Sequence, residues 1–117
     1  MASNLDMECA KLGSQLATHS DDKTLTDALS VLEEQGVYAF FLYLGRKKDR
    51  SRVTDSCRNF LKQHLPGGFG SDDDAFKATQ YIAGDIDKLL LARDLLRQSL
   101  IYGRYHAKAR ASSGGNG

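Results

Sequence analysis

The sequence predicts an all-α protein, a single bundle of about five to six helices that ends in a long C-terminal helix. The chain has 117 residues, enough for one domain with one core. It contains one proline and no tryptophan, and apolar residues recur at helical spacing along most of its length. We expect the bundle to span residues 1–111. Residues 112–117, SSGGNG, lack apolar periodicity and are predicted to be a disordered tail.

The first three helices are predicted from apolar faces and from residues that stop helices. Residues 3–18 form the first helix, because three leucines and a cysteine recur on a single face. The second helix begins near residue 24 or 26 and ends at Gly36, where glycine permits a left-handed stop. Residues 37–46 form a short third helix. A buried strand is the competing interpretation of this aromatic run, but the sequence offers no second strand to pair with it.

Two further helices flank a glycine-rich loop. A fourth helix spans residues 51–65, and the loop that follows it has the sequence PGGFGSDDD. Phe69 in this loop either packs onto the core or is offered to a partner. The fifth helix covers residues 72–83 and has aspartates in its first turn, where negative charge is favourable.

Residues 85–110 form the longest helix, which either continues the fifth helix or follows it after a kink. This stretch has no proline and only one glycine. We expect its inward face to carry residues at helical spacing, namely Ile86, Leu90, Arg93, Leu96 and Leu100. Further side chains widen the apolar surface, namely Leu89, Leu91, Leu95, Tyr102 and Tyr105. The two tyrosines are therefore predicted to close the core; the other interpretation is that they are platforms on which bases stack.

Formal charge alternates along the chain in four blocks, although the total is only +1. Residues 1–45 carry −5 and residues 46–64 carry +5, whereas residues 65–88 carry −3 and residues 89–110 carry +4. Such alternation is typical of solvated helix surfaces. The other interpretation is a molecule with two faces, one suited to phosphates and the other to a protein neighbour.

The sequence lacks the residue patterns that catalysis and metal binding require. It has no suitably placed serine, histidine and acid, no cysteine with a nearby histidine, and no CxxC or HxxxH spacing. We therefore expect no enzymatic activity, no catalytic or metal-binding residue and no cofactor. Cys9 and Cys57 are unpaired, which favours a reduced, cytoplasmic setting. The longest apolar run, residues 37–44, is far shorter than the roughly 20 residues of a membrane span.

The candidate nucleic-acid-binding residues are lysines and arginines in two parts of the chain. The loop after the third helix and one row of the fourth helix carry the first group: Arg46, Lys47, Lys48, Arg50, Arg52, Arg58 and Lys62. The long helix carries the second group: Arg93, Arg97, Arg104 and Lys108. Both groups are predicted to contact a phosphate backbone without reading bases, because no base-reading motif accompanies them. His106 is either an ordinary surface histidine or a further phosphate or ribose contact.

Two segments resemble a known family. Residues 28–48, ALSVLEEQGVYAFFLYLGRKK, contain a helix, a glycine stop and a second apolar helix that ends in basic residues. Residues 92–109, ARDLLRQSLIYGRYHAKA, belong to the long last helix. Together they cover about a third of the chain. They resemble the central helical hairpin and the last helix of the Cmr-type small subunit of type III CRISPR effector complexes.

The resemblance implies a non-catalytic subunit of an RNA-guided ribonucleoprotein. Family members stack in several copies beside the guide–target duplex. The implied partners are the backbone of the guide RNA and target RNA, the backbone and large subunits, and neighbouring copies of the chain. We expect residues 101–110 of the long helix to contact RNA or a neighbouring subunit.

The alternative is a helical protein–protein adaptor with no nucleic-acid role, whose basic blocks meet an acidic partner. A free-standing binder of double-stranded DNA ranks lower. No helix-turn-helix spacing with a polar recognition helix is visible in the sequence.

Overall fold

A computed structural model gives the fold and describes residues 4–65 and 75–115. Within these two ranges the chain forms six α-helices, one 3-10 turn and no strand. They are α1 (Leu5–His19), α2 (Asp22–Gln35), α3 (Val37–Gly45), the 3-10 turn (Lys48–Arg50), α4 (Ser51–His64), α5 (Ala75–Ile82) and α6 (Ile86–Gly115). The predicted all-α bundle with a long last helix is confirmed. The predicted loop at residues 66–74, which includes Phe69, lies outside the described residues.

Side-chain caps set where the first two helices begin. The Asn4 side chain accepts a hydrogen bond from the Met7 N–H at 3.1 Å, and the Asp21 side chain accepts one from the Thr24 N–H at 2.8 Å. Because Asp21 is the cap, α2 begins at Asp22, before the start that the sequence predicted. The predicted N-terminal helix is confirmed as α1.

Gly36 alone joins α2 to α3. Its φ of 99° and ψ of −175° lie in a region that side chains disfavour, so the predicted glycine stop is confirmed. Helix α3 then runs back along α2 and fully buries Phe40 and Phe41, whose rings meet edge to face with centroids 5.1 Å apart. The strand interpretation of this segment is therefore wrong.

Helices α1 and α6 lie parallel to each other. The Cys9 thiol donates to the Leu95 carbonyl at 3.6 Å, and the Arg110 guanidinium donates to the Ala17 carbonyl at 3.2 Å. The first contact joins the earlier parts of both helices and the second joins their later parts. The direction of α6 relative to α1 follows from these two contacts.

The parallel helices approach closely where two glycines face each other. A Cβ atom added at Gly13 would lie 2.6 Å from the Tyr102 Cβ and 2.7 Å from the Gly103 nitrogen. A Cβ atom added at Gly103 would lie 3.3 Å from the Gly13 carbonyl oxygen. The one glycine within the predicted long helix therefore allows close packing against α1.

The inward face of α6 differs from the predicted face. Ile86 and Leu90 are 70% and 49% exposed, whereas Leu96 and Leu100 are buried as predicted. Small residues complete the buried strip: Ala92, Ser99, Gly103 and Ala107. The distance between two packed helices depends on the side chains at their contact. Because several side chains on the inward face of α6 are small, this helix can pack closely against its neighbours.

Helices α5 and α6 are separate, which agrees with a kink and not with one continuous helix. The chain turns at residues 83–85, and the Asp85 side chain accepts a hydrogen bond from the Lys88 N–H at 3.2 Å. Helix α6 continues to Gly115, so the predicted domain boundary after residue 111 falls within this helix.

Candidate nucleic-acid interface

The loop between α1 and α2 lies beside the connection between α3 and α4. An open cleft of about 260 Å³ separates them. Its lining residues are His19, Ser20, Asp21 and Thr24 on one side and Lys47, Asp49 and Arg50 on the other. Helix α4 also runs back along α1, since His64 at its end lies 3.9 Å from Glu8 near the start of α1. The first basic block therefore lies where α1 ends and α2 begins.

The second half of α6 reaches the same end of the bundle. Arg104 Nε lies 3.6 Å from Asp22 Oδ1 in the first turn of α2. Arg110 donates its hydrogen bond to Ala17 in the last turn of α1. These two contacts flank the loop between α1 and α2. The basic residues in the later part of α6 therefore lie at the same end of the bundle as those of the α3–α4 connection, although the two segments are far apart in sequence.

This region, named the basic end, comprises residues 17–24, 46–52 and 104–110. It holds nine lysines and arginines: Lys23, Arg46, Lys47, Lys48, Arg50, Arg52, Arg104, Lys108 and Arg110. Only three carboxylates oppose them, those of Asp21, Asp22 and Asp49, so the formal charge is +6. Since the whole chain carries +1, all other residues together carry −5. Positive charge is therefore concentrated at one end of the molecule.

Five of the predicted binding residues present exposed side chains in the basic end: Arg46, Lys47, Lys48, Arg52 and Lys108. An exposed cation is accessible to a phosphate group, and phosphate contacts of this kind dominate nucleic-acid affinity. Lys23 and Arg110 are also exposed here, and the sequence prediction omitted them. Their place in the basic end depends on which helices pack together, and local sequence patterns do not predict that packing.

Arg50 has a contact within the protein. Its guanidinium carbon lies 4.4 Å from the centre of the Tyr43 ring, and its Nη1 donates to the Tyr43 carbonyl at 3.2 Å. The Arg50 side chain is half-buried. It therefore fastens the α3–α4 connection to α3 and is less accessible than the exposed lysines beside it.

The arginines of α6 contact α2. Arg97 Nε lies 2.9 Å from Glu33 Oε2, and Arg93 donates to the Glu33 carbonyl at 3.5 Å. Glu33 lies near the end of α2, whereas Asp22, the partner of Arg104, lies at its start. Helices α2 and α6 are therefore antiparallel, and Arg93 and Arg97 lie outside the basic end.

The predicted basic row does not follow the exposed side of α4. Arg58 and Lys62 are half-buried, and Arg58 pairs with Asp55 at 3.2 Å. The exposed positions of α4 are Ser51, Arg52, Asp55, Asn59 and Gln63. The buried positions of α4 turn Arg58 and Lys62 towards the edge of the core, so the basic loop does not continue as an exposed basic strip along this helix.

The two tyrosines of α6 occupy different environments. Tyr102 is half-buried against the core, and its hydroxyl donates to Asp6 Oδ1 at 2.8 Å, which raises the pKa of Tyr102. Tyr105 is 67% exposed, so the prediction that it closes the core is wrong. The buried strip of α6 passes through Gly103 and Ala107, and Tyr105 lies half a helical turn away from it. His106, next to Tyr105, is also exposed.

Both cysteines are buried free thiols. Burial raises the pKa of the Cys57 thiol to about 12 and also raises the pKa of the Cys9 thiol. Within residues 4–65 and 75–115, no group of three or more histidines, cysteines and acids is placed to hold a metal ion. No helix in the same ranges combines the length and the apolarity needed to cross a membrane.

Comparisons with known proteins leave the family open. No family model, no curated protein and no solved structure matches this chain significantly. The family resemblance of residues 28–48 and 92–109 therefore stays a prediction. The geometry of the basic end is the structural observation that bears on function.

Proposed function

We propose that the chain is a non-catalytic, RNA-binding subunit of a ribonucleoprotein, and specifically the small subunit of a type III CRISPR effector complex. In this role the basic end contacts the sugar–phosphate backbone of the guide–target duplex, and other surfaces bridge the backbone subunits, the large subunit and neighbouring copies. The RNA-binding part of the proposal depends on one observation, the meeting of two basic blocks at one end of the bundle. The assignment to this complex depends on the resemblance of the two sequence segments.

The side chains of the basic end are suited to phosphate contacts that do not depend on the base sequence of the RNA. Lysine is a flexible point charge that fits many phosphate positions, and two lysines lie side by side at positions 47 and 48. Each phosphate that a cation neutralises releases condensed counterions, so affinity falls as salt rises. Strong salt dependence with little dependence on base sequence is therefore the expected binding behaviour.

The proposal is tested with a triple variant, Lys47→Gln, Lys48→Gln and Arg52→Gln. Arg50 stays unchanged because it contacts Tyr43 within the protein. RNA binding is measured by fluorescence anisotropy over a series of salt concentrations. Losing three phosphate contacts is expected to reduce the slope of log affinity against log salt by about 2 to 3. Affinity at low salt is expected to fall in parallel.

A second triple variant controls for total charge: Lys11→Gln, Lys77→Gln and Lys88→Gln. These lysines lie outside the basic end, and each triple lowers the formal charge by three. The control is expected to keep most of the salt dependence. If both triples reduce the slope equally, or if neither does, the basic end is not the RNA-binding surface.

A second candidate function, the protein–protein adaptor, is favoured by an apolar groove between α2 and α3. The groove has a volume of about 330 Å³, and its lining residues are Val31, Gln35, Ala39, Leu42, Tyr43 and Arg46. Leu42 is 44% exposed within it. If the chain is an adaptor, it should retain a partner protein after nuclease treatment, and Leu42→Glu should release that partner. Retention of CRISPR backbone subunits in the same experiment would support the first proposal.

A further inference from the structure

Tyr105 is a large aromatic side chain that the core does not use. It is 67% exposed and lies on the side of α6 opposite the buried strip through Leu96, Leu100, Gly103 and Ala107. Burying a tyrosine ring ordinarily contributes to stability, and Tyr105 does not make this contribution in the described fold. Its ring is open to a ligand.

The surroundings of Tyr105 are cationic. Arg104 precedes it, and Lys108 follows three residues later, close to the same side of the helix. The ring therefore has positive charge on its own helix.

An aromatic ring among cations is suited to one form of nucleic acid in particular. In a duplex the base faces are stacked on each other, so a ring on a convex helix reaches only the backbone. An unpaired base presents a free face, and stacking on tyrosine is tolerant of base identity. Cations beside the ring then contact the phosphates on either side of that base.

We propose that the basic end binds an unpaired nucleotide, with its base stacked on the Tyr105 ring and a flanking phosphate beside Lys108. The consequence is that an RNA with an unpaired nucleotide binds more tightly than a duplex of the same length, of which the basic end contacts only the backbone. This inference rests on the proposed function and adds a contact with an unpaired nucleotide to the backbone contacts of the same site.

The test compares one short labelled RNA, alone and annealed to its complement, with full-length protein. Tyr105→Leu is expected to weaken binding of the single strand by about 5-fold to 150-fold and to leave duplex binding nearly unchanged. Tyr105→Phe keeps the ring and is expected to restore the preference. Tyr38→Leu is the matched control, because Tyr38 is 43% exposed at the start of α3, outside the basic end.

A second arm removes the base instead of the ring. An RNA of the same length with abasic positions is expected to bind wild type and Tyr105→Leu equally. If Tyr105→Leu loses affinity equally for the single strand and the duplex, or loses it for neither, the stacking inference is overturned. The proposed function still stands in that case, provided that wild type binds RNA in a salt-dependent manner. If wild type binds neither RNA in a salt-dependent manner, both proposals fail. Thermal melting checks that Tyr105→Leu remains folded.

Discussion

Helix α6 contacts its two long neighbours in different ways. Against α1, the backbones meet at Gly13 and Gly103, and Gly13 has no room for a Cβ atom. Against α2, the contacts include ion pairs, of which Arg97–Glu33 is the shorter at 2.9 Å. Close steric packing therefore determines the position of α6 against α1, whereas ion pairs contribute to its position against α2. The close backbone contact of α6 with α1 therefore does not involve the arginines that pair with α2.

The two contacts also differ in how strongly each stabilises the fold. The side chains of Arg97 and Glu33 are 46% and 41% exposed, and exposed pairs of this kind contribute about 0 to 1 kcal/mol. A close-packed contact tolerates no added atom, and overpacking typically costs about 1 to 3 kcal/mol. We therefore expect steric changes beside α1 to have larger effects on stability than charge changes beside α2.

The largest effect is predicted for Gly13→Ala. The new Cβ atom would lie 2.7 Å from the Gly103 nitrogen and 2.8 Å from the Ser99 carbonyl oxygen. These are backbone atoms, so no rotamer change relieves the clash and α6 itself has to move. Alanine favours a helix over glycine by about 1 kcal/mol. Because backbone atoms are involved, we place the overpacking cost at the upper end, about 3 kcal/mol, and after this gain we expect a loss of about 2 kcal/mol in the free energy of unfolding, measured by urea denaturation.

Gly84→Ala is the matched control for this prediction. A Cβ atom at Gly84 meets nothing within 4 Å, and its φ is not positive. We expect this variant to unfold at the same urea concentration as wild type or at a slightly higher one. If Gly13→Ala is as stable as Gly84→Ala, the two helices lie farther apart than described here and the comparison with α2 fails.

An intermediate effect is predicted at the start of α2, where two adjacent carboxylates differ in role. Asp21 caps the helix by accepting the Thr24 N–H, whereas Asp22 pairs with Arg104 of α6. Replacing an N-cap with alanine typically costs about 1 kcal/mol. We therefore expect Asp21→Ala to lower the free energy of unfolding by about that amount at neutral pH, and Asp21→Asn to have little effect because asparagine also caps helices.

The Asp21 cap also predicts a dependence on pH. Hydrogen bonds from the Thr24 side chain and backbone N–H lower the pKa of Asp21 below its ordinary value of 3.8. A lowered pKa means that the folded state binds the proton more weakly than the unfolded state. The stability from this carboxylate is therefore present above pH 3.8 and is lost as the pH falls through the lower value in the folded protein. The stability difference between wild type and Asp21→Ala should shrink in that acidic range; a constant difference would contradict this account.

Local signals predicted the elements of the fold well. Gly36 ends α2 because its backbone requires a positive φ, and the sequence marks this position directly. The inward face of α6 was predicted less well, because apolar periodicity gives weight to large side chains. It pointed to Ile86 and Leu90, whereas Gly103 and Ala107 lie on the buried strip. Small residues carry little hydrophobic signal even where close packing requires them.

The candidate site was predicted only in part. The sequence indicated the exposed cations of the α3–α4 connection, because a dense basic loop has to remain solvated. It did not indicate that Arg104 and Arg110 lie at the same end of the bundle, since that depends on the parallel packing of α1 and α6. It also did not indicate that Arg97, a predicted binding residue, pairs with Glu33, because the two residues are distant in sequence. Tertiary neighbours decide which charges remain accessible.

The smallest effect is predicted for the ion pair beside α2, measured by a double-mutant cycle of Glu33→Gln and Arg97→Gln. Because both side chains are largely solvated, we expect a coupling free energy of about 0.5 kcal/mol that decreases as salt is added. Arg97→Gln is also expected to leave RNA affinity nearly unchanged, in contrast to the triple variant of the basic end. A coupling above about 2 kcal/mol would mean that charge holds α6 against α2 more strongly than an exposed pair allows. A large loss of RNA affinity would extend the binding surface along α6, beyond the basic end.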